Sequence, residues 1–388
     1  AEDGDTIVVR PGTYRVPVVL DRAVAIRGDG PREQILVEPV GGEAIGFAAS
    51  GASVSRLTIR PAQAGNDGAA HSAIAVHNVQ VRIEDCDLTS HLGATVWIGG
   101  PSSRVLIKDC TIHDGAQNAV WVTEEGRAEI TSCRVTGHRW PLTVGGEHTS
   151  LVVRGSEILD NYDHGIVGGD GATLVVEGCT VSRNAGNGVW LQAAAPASRV
   201  ADNDIDSNGG AGVYAEASRG QVTGNRITDN ELGIGVMGAS TPTLEGNRIA
   251  GSGLGIGVRG EGADPRVSGN TIEASGREGV VVDQGAAGRF DANTVKDCGR
   301  GGVWVSDRGS SPRFSGNHVN GAAYAIVATA GGGGQFRSND LRGNTNGSWY
   351  LDDPGALTCE DNLEDSGAAP AEPDAEPPSA SDPPTLMN

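Results

Sequence analysis

Residues 200–216 read VADNDIDSNGGAGVYAE, residues 222–238 read VTGNRITDNELGIGVMG, and residues 244–260 read LEGNRIAGSGLGIGVRG. The same phrase begins again with VSGNTIE at 267–273. Each copy contains the same elements in the same order: an apolar residue, an Asn, an aliphatic residue two positions after the Asn, and a Gly-rich apolar segment. A fixed period of this length indicates one structural unit that stacks on its neighbours to bury a shared apolar face.

The period extends far beyond this stretch, through 12 slots that lie 22 to 24 residues apart. An aliphatic residue follows each slot two positions later, so the repeat keeps its phase along most of the chain. The slot residues are Cys86, Cys110, Cys133, Ser156, Cys179, Asn203, Asn225, Asn247, Asn270, Asn293, Asn317 and Asn339.

The repeating unit consists of strands. Apolar residues alternate in short runs, and Gly, Asn, Asp and Ser separate these runs. Each repeat offers three short strands, and three strands form one turn of a coil. Successive coils stack at the ~4.8 Å spacing of hydrogen-bonded strands, so the sheets are parallel and equivalent residues lie above one another. An inward Asn column then forms a hydrogen-bonded ladder.

These repeats, together with the opening GDTIVVRPGTYR at 4–15, resemble the right-handed parallel β-helix, or pectate-lyase-like, family. The resemblance implies an all-β, single solenoid of about 13–15 coils over residues 1–365, with three short parallel sheets. It is specific for architecture and not for chemistry. Residues 366–388 are rich in Pro, Ala and acidic residues, which predicts a disordered tail or a linker. Residues 61–72 are expected to form a surface loop, or a lid beside a groove.

The composition limits the partners. The chain of 388 residues has a net charge of −20, which disfavours nucleic acid and anionic membranes. It also disfavours tight binding of an acidic polysaccharide without a bridging cation. No transmembrane run is present, and we expect a monomer. We predict no cofactor and no metal site. Calcium stays a possibility, although no specific motif indicates it.

The slot cysteines are expected to be buried free thiols, because they stand where a small inward residue is needed and none has metal-ligand spacing. Unpaired buried thiols lean towards a reducing compartment. The compartment depends on the function: a polysaccharide enzyme would be secreted, and a scaffold module would be cytoplasmic.

One strand position points outward and gathers aromatic residues. In the Gly-Ile-x-Val strand the residue x faces solvent, and five of the chain's 15 aromatic residues stand at this position. Aligned exposed aromatics indicate a stacking surface for sugar rings, although aromatics also suit exposed strands without any ligand. We call this set the outward column: Trp97, Trp121, Thr143, Val167, Trp190, Tyr214, Gly235, Gly257, Val281, Trp304 and Val327.

Two turns beside the column carry reactive side chains, His138-Arg139-Trp140 and Tyr162-Asp163-His164. Stacking would place Arg139 beside Asp163, and Asn187 beside His164. A uronate lyase or C5-epimerase needs a charge-neutralising cation, a base and an acid. Arg139 is the candidate cation, His164 or His138 the base and Tyr162 the acid, and Asp163 would orient a His. The candidate sugar-binding residues are Trp97, Trp121, Trp140, Asn187, Trp190 and Tyr214.

Other interpretations stay open. The Asp-Pro-His motif of alginate epimerases is absent, and the cluster contains no Lys. The cluster could be an ordinary polar turn, and His138 stands in a slot that holds Asn161 and Asn184 in the following coils, which favours a second polar ladder. We reject polygalacturonase-like hydrolysis, because Thr143 and Val167 stand where paired carboxylates are needed. The alternative function is a non-catalytic module that displays its surface to a glycan or protein and belongs to a larger multidomain protein.

Overall fold

The computed structural model describes residues 1–62, 71–91, 93–352 and 357–365. These residues belong to two compact units, which we call unit 1 (Ala1–Asp204) and unit 2 (Ile205–Asn388). Most of the predicted loop or lid at 61–72 lies outside the described residues, and so does the predicted tail at 366–388.

Unit 1 contains three parallel sheets, A, B and C, and every coil contributes one strand to each in turn. A 3-10 turn, Arg32–Gln34, follows the second coil's first strand. Sheet A contains β1 (Thr6–Val9), β4 (Ala25–Gly28), β7 (Ser53–Ser55), β10 (Gln80–Glu84), β13 (Arg104–Lys108), β16 (Arg127–Thr131), β19 (Ser150–Arg154), β22 (Thr173–Glu177) and β25 (Arg199–Ala201). Sheet B contains β2 (Gly12–Tyr14), β5 (Ile35–Val37), β8 (Thr58–Ile59), β11 (Asp87–Leu88), β14 (Thr111–His113), β17 (Arg134–Thr136), β20 (Glu157–Leu159) and β23 (Thr180–Ser182). Sheet C contains β3 (Val18–Leu20), β6 (Ile45–Phe47), β9 (Ile74–His77), β12 (Val96–Gly99), β15 (Val120–Val122), β18 (Leu142–Gly145), β21 (Ile166–Gly169) and β24 (Val189–Gln192).

Unit 2 repeats the same three-strand order, and β26 (Asp204–Asp206) contains the boundary between the units. Its sheet A contains β28 (Gln221–Thr223), β31 (Thr243–Glu245), β34 (Arg266–Ser268), β37 (Arg289–Asp291), β40 (Arg313–Ser315), β43 (Gly334–Arg337) and β45 (Leu357–Glu360). Its sheet B contains β29 (Arg226–Thr228), β32 (Arg248–Ala250), β35 (Thr271–Glu273), β38 (Thr294–Lys296) and β41 (His318–Asn320). Its sheet C contains β27 (Ala211–Glu216), β30 (Leu232–Met237), β33 (Leu254–Arg259), β36 (Val280–Asp283), β39 (Gly301–Ser306), β42 (Tyr324–Thr329) and β44 (Gly347–Leu351).

The predicted all-β parallel solenoid with three sheets is confirmed, with about 15 turns in all. The strand register also agrees with the repeat. Arg226 and Arg248, each of which follows a slot Asn, pair across β29 and β32, and Ile227 pairs with Ile249. Within the part of the chain that the structure describes, no helix has the length and apolar character needed to cross a membrane.

A bend in the left-handed region precedes every slot residue. The residue immediately before the slot has a φ between 48° and 66°, a conformation that Gly tolerates best and that Asp and Asn adopt more readily than most residues. This bend separates sheet A from sheet B and turns the slot side chain inward. The residues at this position are Asp85, Asp109, Ser132, Gly155, Gly178, Asp202, Gly224, Gly246, Gly269, Ala292, Gly316 and Ser338, and Asp361 has the same conformation one repeat later, before Asn362.

The predicted Asn ladder is present in unit 2. The backbone N–H and the Nδ2 group of Asn247 both donate to Oδ1 of Asn270, each over 2.9 Å. Asn270 donates in the same way to Asn293, over 2.9 and 3.0 Å. The ladder continues one rung past the predicted set, because Asn339 donates to Oδ1 of Asn362 over 3.0 Å from its backbone and 2.9 Å from its side chain.

The core lies inside each coil. The aliphatic residues two positions after the slots are all buried, with exposed fractions of 0 to 2%. Aromatic side chains also stack inside unit 2, where the rings of Phe290 and Phe314 lie 4.3 Å apart and those of Phe314 and Phe336 lie 5.2 Å apart. All six cysteines are free thiols, and the four in the slots are buried, as predicted. Similar apolar side chains at equivalent positions of successive coils therefore stack to fill the interior.

Candidate functional site

The outward column of unit 1 lies along sheet C. Trp97 pairs with Trp121, Trp121 with Thr143, Thr143 with Val167, and Val167 with Trp190. The valines on either side of Trp121 in β15 are fully buried, whereas Trp121 itself is 42% exposed. Period-two alternation on the strand therefore turns the column outward, as the sequence predicts. We call this surface, formed by these five residues, the unit 1 face.

Trp97 is fixed at one end of the unit 1 face. The imidazole of His77, from the preceding strand of sheet C, stacks on its ring with 5.9 Å between centroids and 12° between planes. A Cβ atom at Gly99 would come within 2.7 Å of the indole, so the glycine leaves room for the ring. This ring is held flat by its neighbours, and Trp121 beside it is the more accessible of the two.

The two polar turns lie beside the centre of the unit 1 face. The indole Nε1 of Trp140 donates a 3.0 Å hydrogen bond to Oδ2 of Asp163. Arg139 does not pair with Asp163 as the in-register expectation suggested. Its guanidinium lies over the Trp140 ring, 4.7 Å from the centroid. The cation–π contact holds the Arg139 guanidinium on the Trp140 ring, and the Asp163 carboxylate accepts its hydrogen bond from the Trp140 indole N–H instead of from Arg139.

His164 is held between the second turn and the face. The backbone N–H of Asn187 donates to its Nδ1 over 2.9 Å, so the neutral ring carries its proton on Nε2. Nε2 lies 3.4 Å from Oδ1 of Asp163. The ring meets Trp190 edge-to-face, with 4.8 Å between centroids. Burial lowers the pKa of His164, and the nearby Asp163 carboxylate opposes this shift.

These contacts form one connected set, which we call the polar cluster: Arg139, Trp140, Asp163 and His164, with Trp190 at its edge. Trp140 is 38% exposed and the adjacent Tyr162 is 70% exposed, so part of the cluster faces solvent. In the neutral His164 ring, Nδ1 accepts a hydrogen bond and Nε2 carries the proton. His164 can therefore donate a hydrogen bond from Nε2, but its neutral form has no free lone pair with which to act as a base.

His138 is not part of this surface. The residue is fully buried, and its Nδ1 bonds to the carbonyl of Thr136 over 2.8 Å while Nε2 lies 3.2 Å from the hydroxyl of Thr95. Its backbone N–H donates to Oδ1 of Asn161 over 3.1 Å. Burial lowers the pKa of His138 to about 4, and the nearby His113 adds to this shift.

The position of His138 therefore matches the second-ladder interpretation. The next rung repeats the bond, because the backbone N–H of Asn161 donates to Oδ1 of Asn184 over 3.3 Å, and its Nδ2 group donates to the same oxygen over 2.8 Å. His138 itself points into the coil and is fully buried, so the expectation that it could serve as an accessible base was wrong. We leave His138 out of the site.

Two further predicted contacts differ from the expectation. Asn187 is buried, at 8% exposed, and its backbone N–H donates to His164 in the cluster. Tyr214, in unit 2, is only 9% exposed, because its ring lies over Gly235, where a Cβ atom would come within 2.6 Å of the ring. Burial, with Glu216 nearby, raises the pKa of Tyr214 to about 12, and Arg259 opposes the shift.

Sequence reasoning missed Asn118. Its Nδ2 donates to the carbonyl of Trp140 over 2.9 Å and to Oγ1 of Thr143 over 2.8 Å, so it fastens the first polar turn to the unit 1 face. A signal was available, because Asn118 stands two residues before the buried Val120, as Asn187 stands two residues before Val189. Among the described residues, no group of three or more His, Cys, Asp or Glu side chains is arranged to hold a metal ion.

The chain belongs to the right-handed β-helix family. The family model described as "Right handed beta helix region" matches residues 43–205 and 212–363, which together make up most of the chain. No curated protein matches the sequence.

Several solved structures are similar in fold. A mutant of the periplasmic alginate epimerase AlgG is 15% identical, with a TM-score of 0.45, and the match covers 92% of this chain and 85% of that chain. The A-module of the Azotobacter vinelandii mannuronan C-5 epimerase AlgE6 is 17% identical, with a TM-score of 0.41 and coverage of 95% and 91%. The catalytic unit of the α-1,3-glucanase from Streptomyces thermodiastaticus is 15% identical, with a TM-score of 0.41 and coverage of 93% and 63%. At these values the likeness concerns the fold and carries no argument about activity.

Proposed function

We propose that unit 1 is a carbohydrate-binding surface, in which the unit 1 face and Trp140 receive consecutive residues of a polysaccharide. The observation that carries this proposal is the exposure of two large indoles, 42% for Trp121 on sheet C and 38% for Trp140 in the turn beside it. Exposed indoles offer apolar area with little conformational entropy to lose, which suits the apolar face of a sugar ring.

The spacing of the face supports an extended ligand. Trp121 and Trp190 are separated by three coil steps, which correspond to roughly 14 Å at the strand spacing of parallel sheets. Thr143 and Val167 lie between them and leave a shallow floor without bulky side chains. A glycan chain laid along this line would meet an indole at each end and the polar cluster beside its middle.

The finer proposal is that the bound sugar is a uronate and that the site acts as a lyase or a C5-epimerase. Removal of the proton next to the carboxylate builds negative charge, and the Arg139 guanidinium is available to neutralise it. Tyr162, which is 70% exposed, is the candidate for proton transfer. His164 would donate a hydrogen bond from Nε2 to the substrate in place of its 3.4 Å contact with Oδ1 of Asp163, and the backbone N–H of Asn187 on Nδ1 would hold the ring.

The second candidate is non-catalytic glycan binding. It is favoured by the hydrogen bonding of the two histidines, because Nδ1 of His164 already accepts a backbone N–H and His138 is buried. Without an imidazole base, proton abstraction depends on Tyr162 alone. The two candidates share the binding surface and differ only in turnover.

Binding is tested by affinity electrophoresis in gels that contain neutral or uronate polysaccharides. Trp121→Ala removes one exposed stacking surface and should weaken retardation about tenfold, since one aromatic stacking contact contributes on the order of 1–2 kcal/mol. Trp349→Phe, in unit 2, is the matched control and should migrate like the wild type. Absence of retardation of the wild-type protein on the whole panel would contradict the binding proposal.

Turnover is tested by the absorbance of unsaturated uronate products and by NMR of the C5 configuration. If the enzyme proposal holds, Tyr162→Phe and His164→Ala abolish product formation, and the melting temperature changes little for the exposed Tyr162. If the wild-type protein is retained by the gels but forms no product, the non-catalytic candidate stands and the lyase or epimerase proposal is wrong.

A further inference from the structure

A cleft opens on the outer face of sheet C in unit 2, and none of its residues belongs to the unit 1 face or the polar cluster. Its volume is about 210 Å³. The floor contains Leu254, Val281 and Trp304, and one wall contains Arg277 and Glu278 from the turn before β36. The opposite wall contains Arg259, Asp283, Ser306, Asp307 and Thr329. We call this the unit 2 cleft.

The floor is rigid and apolar. Val281 pairs in register with Trp304, and these two residues are only 8% and 9% exposed. The indole Nε1 of Trp304 donates to Oγ1 of Thr329 over 3.1 Å, which fixes the orientation of the ring. The floor thus presents an immobilised apolar surface of the kind that the hydrophobic face of a small ring requires.

A buried ion pair forms the polar wall. Arg259 and Asp283 are register neighbours, and Nε of Arg259 lies 3.3 Å from Oδ2 of Asp283. Both side chains are 12% exposed. Oδ1 of Asp283 has no hydrogen-bond partner among the described residues. A buried carboxylate oxygen without a donor is unfavourable, so a ligand hydroxyl that rearranges this wall and donates to the carboxylate would be favoured.

The remaining charges around the cleft are mixed. Oδ2 of Asp307 accepts a 3.0 Å hydrogen bond from the backbone N–H of Gln284, and Arg277 pairs with Glu231 over 3.1 Å. The lining therefore contains two guanidinium groups and three carboxyl groups. An anion would meet more negative than positive charge, whereas an alcohol both donates and accepts and matches both kinds of group.

We propose that the unit 2 cleft binds a single neutral sugar ring, with its apolar face on Trp304 and Val281 and its hydroxyls on Asp283 and Arg259. The volume admits one ring and not a chain. The cleft is independent of the proposed function of unit 1, because none of its residues belongs to the unit 1 face or the polar cluster.

The cleft also sets a pH dependence. Burial raises the pKa of Asp283 to about 6, with Asp307 adding to the shift and Arg259 opposing it. The charged groups that face Asp283 are Arg259 from β33, Asp307 after β39, and Arg277 and Glu278 from the turn before β36. Protonation removes the charged acceptor, so sugar affinity should fall as the pH drops through about 6.

The experiment uses the whole chain and saturation-transfer NMR with free glucose, galactose, mannose and xylose as probes, followed by titration of the strongest binder. Asp283→Asn keeps the shape but removes the charge, and should weaken binding at pH 7.5 about tenfold or more and abolish the pH dependence. Glu216→Gln is the matched control. Glu216 occupies the strand position equivalent to Arg259 two coils earlier, since it pairs with Met237 and Met237 pairs with Arg259, but it does not line the cleft. Should Asp283→Asn fail to fold, Arg259→Lys takes its place and should weaken binding in the same way.

The outcomes are distinct. Saturation transfer that disappears in Asp283→Asn and persists in Glu216→Gln and Trp121→Ala supports the proposal. Lack of transfer from all four sugars, or transfer that Asp283→Asn leaves unchanged, overturns it. Loss of transfer in Trp121→Ala would instead assign the sugar to the unit 1 face, which overturns the cleft and leaves the proposed function of unit 1 intact.

Discussion

Trp121 and Trp304 occupy the same outward strand position in units 1 and 2, yet the first is 42% exposed and the second 9%. Both are flanked by buried valines, so both point away from the core. The indole of Trp304 reaches across the neighbouring coil to Thr329, and Val327, its register partner, is fully buried. The same alternation therefore yields an open stacking surface in unit 1 and a covered cleft floor in unit 2.

The slot residues differ between the units as well. In unit 1 the backbone N–H of Cys86 meets Sγ of Cys110 at 3.4 Å, and that of Cys110 meets Sγ of Cys133 at 3.4 Å. In unit 2 Asn side chains make shorter bonds and two of them per rung. Sulfur is a weak acceptor, so stability in unit 1 depends more on packing and stability in unit 2 more on hydrogen bonding.

The largest expected effect is on this ladder. Asn270→Ala removes the acceptor of two Asn247 donors and the donor to the carbonyl of Leu244, and should lower the free energy of unfolding by about 4 kcal/mol. Cys110→Ala removes only sulfur contacts and should cost about 1 kcal/mol. Urea unfolding of both variants measures the difference, and equal losses would contradict the contrast between the ladders.

His138 gives the next largest effect, which depends on pH. Its folded-state pKa of about 4 lies below the ordinary value of 6.5, so its contribution to stability is fully present above pH 6.5 and is lost as pH falls towards 4. The loss should reach about 3 kcal/mol. His138→Asn restores the residue type of the following rungs and should remove this loss, at a cost of about 1–2 kcal/mol at pH 7 from the smaller side chain.

Urea unfolding of wild type and His138→Asn between pH 4 and pH 7.5 checks the prediction, because the difference between the two cancels the titration of the other groups. His113, whose pKa is raised to about 9 chiefly by its hydrogen bond to Asp87, has the opposite dependence: its contribution is fully present below pH 6.5 and is lost as the pH rises towards 9. A difference between the proteins that does not vary with pH would show that His138 is not buried as an uncharged ring.

The smallest expected effect compares two glycines in equivalent turns. A Cβ atom at Gly186 would lie 2.5 Å from Nδ1 of His164 and 3.0 Å from Oδ1 of Asp163, whereas one at Gly276 in unit 2 would have 3.8 Å to its nearest neighbour. Gly186→Ala should therefore displace the polar cluster and weaken polysaccharide retardation by about twofold to fivefold, which is below 1 kcal/mol. Gly276→Ala should leave retardation unchanged, and an identical response of the two variants would remove the polar cluster from the binding site.

Much of the fold could be predicted from the sequence, because stacked coils repeat the same contacts at a fixed period. The slot residues, the aliphatic residues after them and the outward direction of Trp121 all followed from that period. The site was less predictable. The period predicts which backbone positions are neighbours. It does not predict that Asp163 pairs with Trp140 rather than with Arg139, because that choice depends on the conformations of these side chains.

The sequence by itself determined the parallel three-sheet coil and its ladders, since these depend only on which residues recur at one spacing and on backbone hydrogen bonds between equivalent strands. The tertiary structure alone decided how accessible the outward residues are: it left Trp121 42% exposed, reduced the exposure of Tyr214 and Trp304 to 9% each, and buried His138. The physical reason is that accessibility is set by side chains from adjacent coils, whose conformations are chosen by local packing and pairing and leave no periodic trace in the chain.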